Sequence, residues 1–321
     1  MNQLTLCGRG LVLSAALAMS PNLAMAGEAE NITLVSYSQD VGASERVAAA
    51  GLLRVLSQEA ANAACHLGNG IAPQEAGAML TEVKAKFPLT LDALEFGNPT
   101  MNINGAESRR KTLEKISAVR AAWDDMKPAA FTLIDTPDDA AALAAVKAQN
   151  ENLFNVAADL TNEIGGAYAN PAELLQTDVL LLDFTSRQAM QTQRMGKLAC
   201  ALWSEGHSSE TAEELTSAMG LYEATLSALI NGMPAMGILA APTPEISNGL
   251  SQASAAWGQV KSDLNLVLAG GEVDAALKER LFLELNAATR QMREVETLYV
   301  AYAKHKYLNK SDSSGTQALT D

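Results

Sequence analysis

The sequence predicts an all-α protein made of two tandem up-down four-helix bundle modules, related by a pseudo-two-fold axis. Three observations predict it. The chain repeats itself, its apolar residues recur at helical spacing between glycine and proline breakers, and its composition favours helices. Hydrophobic residues make up 48% of the chain and aromatics 5%. Ala, Leu, Met and Glu are abundant, which is the helix-forming set. A chain of 321 residues is long enough for two domains with real cores.

The repeat is read first, because missing one misassigns the whole fold. A shift of 135 residues carries GLLRVLSQEAANAAC (Gly51 to Cys65) onto SRQAMQTQRMGKLAC (Ser186 to Cys200). At the same shift FPLTLDALEFGNP (Phe87 to Pro99) meets YEATLSALINGMP (Tyr222 to Pro234) without a gap. After a one-residue slip, ISAVRAAWDDMK (Ile116 to Lys127) lies over LSQASAAWGQVK (Leu250 to Lys261), pairing Trp123 with Trp257.

Taken in order, the chain opens with Arg9 as its one early charge, then an apolar run from Leu11 to Met19, then Ala24-Met25-Ala26 before Gly27. That is the layout of a cleaved secretory signal peptide over 1–26, and the run is too short to span a bilayer. The expected location is therefore the periplasm. Module one is expected over 27–165, with helices near 31–68, 73–96, 106–128 and 138–164. Module two is expected over 166–308, with helices near 171–205, 208–231, 244–268 and 272–306. Gly68-Asn69-Gly70, Gly97-Asn98-Pro99, Asp135-Thr136-Pro137 and Gly165-Gly166 separate the first set. Gly206, Gly232 to Pro234, Pro242 to Pro244 and Gly270-Gly271 separate the second. Apolar steps such as Leu215/Met219/Tyr222/Leu226 and Leu277/Leu281/Leu285 have helical period. Residues 309–321 are rich in Ser, Thr and Asp and read as a disordered tail.

An even helix count returns the fourth helix of module one to the level where its first began. The short Gly165 to Pro171 link then starts module two from that level, so the two first helices should run parallel, as in a symmetric dimer. One face of the first helix reads Gly51, Arg54, Gln58, Ala61, Cys65; its counterpart reads Ser186, Ala189, Gln193, Gly196, Cys200. Two readings stay open. Arg54 either pairs with a carboxylate or reaches water within its own module, or the stripes face each other and Arg54, Gln58 and Gln193 converge. In the second case a small planar oxyanion suits the forked guanidinium and the amide donors. Cys65 and Cys200 lie further along the same stripes. They are either a disulfide clamping the modules together, which an oxidising compartment permits, or two buried thiols.

The remaining chemistry is sparse. A formal net charge of −14 argues against nucleic acid or an anionic membrane surface as partner. His66, His207 and His305 have no metal-site spacing. No haem motif, phosphate-binding glycine loop or nucleophilic triad stands out, so neither a cofactor nor an enzymatic activity is expected. No kinase, cyclase or chemotaxis-signalling segment follows the second module.

The two stripe helices resemble the signature helix of the type IV pilus methyl-accepting chemotaxis transducer N-terminal (PilJ-type) family, which reads approximately G-R-Q-R-M-L-S-Q. The resemblance covers most of the chain as two tandem copies. It implies helical extracytoplasmic sensor modules related to nitrate/nitrite sensor domains, in which Arg residues from two parallel first helices bind one anion at the dimer axis. By that resemblance Arg54 takes the ligand-binding position, Gly51 matches the preceding Gly, and Ser57-Gln58 matches the S-Q. Module two departs: Ala189 stands where the Arg belongs, and Arg187 matches the earlier Arg of the motif, roughly 100° round the helix. The expected function is a periplasmic sensor-like protein binding a nitrate- or nitrite-like oxyanion between the repeats, through Arg54, Gln58, Gln193, Ser57 and Arg187. The alternative is a degenerate module that works as the partner of a membrane-bound receptor or transporter, or of a pilus or chemotaxis system.

Overall fold

The computed structural model describes residues 40–171 and 173–317, with side chains described through residue 306. The expected signal peptide and its cleavage site lie outside the described residues. Eight α-helices follow one another among those described: α1 (Ala43–Gly68), α2 (Pro73–Phe96), α3 (Arg110–Asp135), α4 (Ala140–Tyr168), α5 (Gln176–Ser204), α6 (Ser209–Asn231), α7 (Pro244–Leu268) and α8 (Ala275–Gln317). None is long and apolar enough to cross a membrane.

Each module is an up-down bundle. α1 packs on α2 and α4, α5 packs on α6 and α8, and α1 and α5 pack on each other across the centre. Residues paired across that centre are separated by about the repeat shift: a Cβ added at Gly51 would meet Ser186 at 2.7 Å, and one at Gly196 would meet Asn62 at 2.7 Å. Constant separation along the pair means that the two helices run parallel and in register. The small residues of the two stripes are what let the backbones come this close.

The repeat explains the rest of the frame. Phe87 stacks on Trp123 at 4.3 Å, and the equivalent Tyr222 packs on Trp257 at 4.5 Å. After α2 the chain turns through a 3-10 segment, Pro99–Met101, closed by an isolated bridge between Asn98 and Ile103. After α6 the same turn recurs at Pro234–Met236, with Met233 bridged to Ile238. Gly97 and Gly232, both at positive φ, enter these turns where a side chain would strike neighbouring backbone.

Several boundaries differ from the sequence reading, among them the starts of α3 at Arg110 and α5 at Gln176. Among the described residues α1 begins at Ala43, after Gly42 at φ 72. α3 continues through Pro128 to Asp135, because burial of Ala130 and Leu133 outweighs the missing hydrogen bond. α4 passes through Gly165-Gly166 to Tyr168. Gly165 is there for close packing: a Cβ would lie 3.3 Å from Val179 of α5. Finally, α8 remains helical to Gln317, past Asn309, where a disordered tail was expected. Its last described side chains return to the starts of the first helices. Lys304 pairs with Asp40 and Glu45 at 3.1 and 2.9 Å, and Lys306 with Asp178 at 3.3 Å.

Candidate functional site

The central seam between α1 and α5 carries the expected residues. A helix buried on all faces is ordinarily apolar throughout. α1 is buried almost all round and yet holds Arg46, Arg54, Ser57, Gln58, Glu59, Asn62 and His66. These groups must be satisfied inside the protein, because an unpaired buried charge is expensive.

Arg54 is 1% exposed. Its Nη2 lies 3.0 Å from Asp183 Oδ1 and donates to Ser186 Oγ at 2.6 Å and to the Asp183 carbonyl at 3.3 Å. Arg187, half-exposed, donates through Nε to the other carboxylate oxygen, Asp183 Oδ2, at 2.7 Å. Two guanidiniums, one from each module, thus bracket a single carboxylate that belongs to the chain. Arg187 meets it by reaching back one turn along its own helix, although it lies off the stripe. Burial lowers the Arg54 pKa, while the Asp183 charge opposes that shift. Arg54 Nε has no hydrogen-bond partner. Glu296 of α8, also buried, lies close enough to feel both Arg54 and Asp183, and burial lifts its carboxyl to about 7.

The other expected residues do not converge on Arg54. Ser57 donates to the Arg54 carbonyl of its own helix at 2.7 Å. Gln58 donates to Asn150 Oδ1 of α4 at 3.3 Å, and its Oε1 has no partner. Gln193 accepts from Asn62 at 2.7 Å and donates to Asn286 Oδ1 and Thr289 Oγ1 of α8 at 2.9 and 2.8 Å. Each Gln turns to the fourth helix of its own module, in a matched pair of contacts. Further along, Cys65 and Cys200 form a disulfide with Cα atoms 6.2 Å apart.

Sequence reasoning missed Asp183, although it lies one three-residue step before Ser186 on the same stripe. Extending the stripe by one turn finds it. Asn150, Asn286 and Glu296 left no such signal, because they come from helices whose facing surfaces the sequence does not specify.

Beside the seam a cavity of about 900 Å³ opens between α1, α2 and α8. Glu59 and Glu296 line it, Gln193 reaches it from α5, and Arg290 and Arg293 of α8 border it. Burial raises the Glu59 carboxyl to about 7, against the pull of Arg293. Among the described residues no cluster of His, Cys, Asp and Glu has the geometry of a metal site.

In comparison with known proteins, the family model described as "Type IV pili methyl-accepting chemotaxis transducer N-term" (PilJ) matches residues 36–148 and again 182–305. No curated protein matches the chain.

Proposed function

The chain belongs to the PilJ family of type IV pili methyl-accepting chemotaxis transducer N-terminal regions, and from that premise we propose that it is a periplasmic sensor-type module acting on a protein partner in a chemotaxis or pilus signalling system. The bracketed Asp183 carboxylate carries this reading. A carboxylate is itself a planar oxyanion, and it stands between Arg54 and Arg187 where a free anion would be held. A tethered anion has a large concentration advantage over a dissolved one. The disulfide between α1 and α5 further ties the two first helices in register. The module therefore holds its anion-clamped arrangement without a ligand and presents one surface to its partner.

Titration calorimetry with sodium nitrate and sodium nitrite tests this. No saturable heat is expected up to roughly 10 mM, a weak-binding limit. Capture by the periplasmic region of a transducer should be the same for the native chain and for Arg187→Gln. Saturable nitrate binding that disappears in Arg54→Ala would overturn the proposal.

A second reading keeps the small oxyanion as ligand at the seam. One observation favours it: Arg54 Nε is a buried donor without an acceptor. On this reading Asp183→Asn, which weakens the internal competitor, should create or strengthen nitrate binding by at least tenfold. An unchanged titration in that variant removes it.

A further inference from the structure

The groove between α1, α2 and α8 adjoins the seam, sharing Gln193 and Glu296 with it, and adds Glu59, Arg290 and Arg293. Its floor holds two buried carboxyls. Glu296 is 7% exposed and its Oε1 has no hydrogen-bond partner. Glu59, on the facing helix, is 8% exposed. Its rim is mixed in charge, with Glu45, Glu75, Glu82 and Glu294 beside Lys86, Arg290 and Arg293; Arg293 is half-buried, Arg290 is exposed, and among the described residues neither arginine joins an ion pair within 4.0 Å. Leu52, Met79 and Val300 supply apolar lining. A cavity of about 900 Å³ falls in the size range of small-molecule sites, which combine apolar walls with a few placed polar groups.

We propose that this groove binds a small zwitterion carrying a primary ammonium and a carboxylate, the chemistry of a free α-amino acid. The ammonium is received by Glu296 and Glu59 at the floor, and the carboxylate by Arg293 and Arg290 at the rim. A simple anion would reach the guanidiniums but meet two carboxyls below them. A simple cation would satisfy the floor and leave Arg290 and Arg293 without an ion-pair partner. A zwitterion supplies a donor to the floor carboxyls and an acceptor for the arginines at once. The carboxyls titrate close to neutrality for want of such a donor, since burial is the first cause of both shifts. The site adjoins the Arg54–Asp183–Arg187 cluster through Glu296 but does not rest on the partner reading.

The test is calorimetry of the disulfide-bonded protein against each of the twenty common L-α-amino acids, with n-butylamine and sodium butyrate as single-charge probes. At least one amino acid is expected to bind saturably, and both single-charge probes at least tenfold more weakly. Glu296→Gln and Arg293→Gln should each weaken that binding by roughly ten- to a hundredfold, as expected for loss of a charge-assisted hydrogen bond. Circular dichroism shows whether each variant is folded, and the half-buried Arg293 position keeps the test valid if Glu296→Gln is not. Absence of heat from every amino acid at roughly 10 mM, butylamine binding as tightly as any amino acid, or an affinity unmoved in the folded variants overturns the proposal.

Discussion

α1 and α5 descend from one repeat unit and now differ where charge is concerned. Their shared features are structural: small residues at the crossing, a Gln bonded to an Asn of the fourth helix, and a cysteine at the far end. At the shift of 135, however, Arg46 faces Leu181, Arg54 faces Ala189, and Glu59 faces Arg194. Arg46 is fully buried and donates to the carbonyls of Leu94 and Asn104, fastening the turn after α2; Leu181 is simply packed. Arg194 lies over the Phe154 ring at 5.7 Å and pairs with Glu214 at 3.1 Å, whereas Glu59 sits in the groove between α1, α2 and α8. The difference teaches that packing constrains both copies alike, while polar groups on a pseudo-two-fold seam need only be satisfied jointly. One module supplies Arg54 and the other supplies Asp183.

The largest expected effect comes from cutting the covalent tie between the copies. A disulfide closing a loop of 135 residues is worth about 5 kcal/mol by the chain-entropy account. Cys65→Ser with Cys200→Ser should lower the urea midpoint accordingly, and an unchanged midpoint would show that the seam's packing alone holds the copies together.

Breaking the shared charge comes next. Asp183→Ala leaves Arg54 at 1% exposure without its carboxylate, at a cost of about 3 kcal/mol, near the low end for a broken buried pair because Asp183 is partly exposed. The equivalent position in module one is Ala48, so Ala48→Gly should cost only about 1 kcal/mol. Equal losses in chemical denaturation would mean that Asp183 does not carry the pairing.

The two glutamines sharpen the comparison further. Gln193→Leu strips Asn62, Asn286 and Thr289 of a partner and should cost about 2 kcal/mol. Gln58→Leu removes one long hydrogen bond and a bare Oε1, and should cost about 1 kcal/mol or less. Thermal melts of the two variants decide the order.

The smallest net effect is that of pH. Glu59 and Glu296 have folded pKa values raised from 4.5 to about 7, so the stability they confer is complete below 4.5 and lost as pH rises through 7. His66, stacked on Phe282 and buried, is lowered from 6.5 to about 4, so its contribution is complete above 6.5 and lost as pH falls through 4. The two trends oppose each other between 4.5 and 6.5, and only the carboxyls act above that. The melting temperature should therefore fall from pH 6.5 to 7.5, and Glu59→Gln with Glu296→Gln should flatten that fall. A slope that persists in the double variant assigns it elsewhere.

Much of this architecture was legible in the chain. Period and breakers mark helices because burial of one face is written every three or four residues, and α7 was placed at its observed limits. The even helix count and the short link implied parallel first helices, and residues one repeat apart do meet across them. Boundaries failed where packing overrides a local breaker: Pro128 within α3 and Gly165 within α4. The site was half legible. Arg54 and its stripe could be found from spacing, and Asp183 lies one step beyond the stripe as it was read, but Asn150, Asn286 and Glu296 come from helices whose facing surfaces the sequence does not specify.

By itself, then, the sequence determined the helices, their duplication, the family and the small-residue stripes, because each of these is recorded in residues close together or at a fixed shift. Tertiary structure alone decided which groups meet across that seam. Asp183 fills the place between Arg54 and Arg187, the glutamines turn apart, and Glu59 is brought beside Glu296 in one groove. Those outcomes depend on side chains from distant helices competing for the same few buried donors and acceptors.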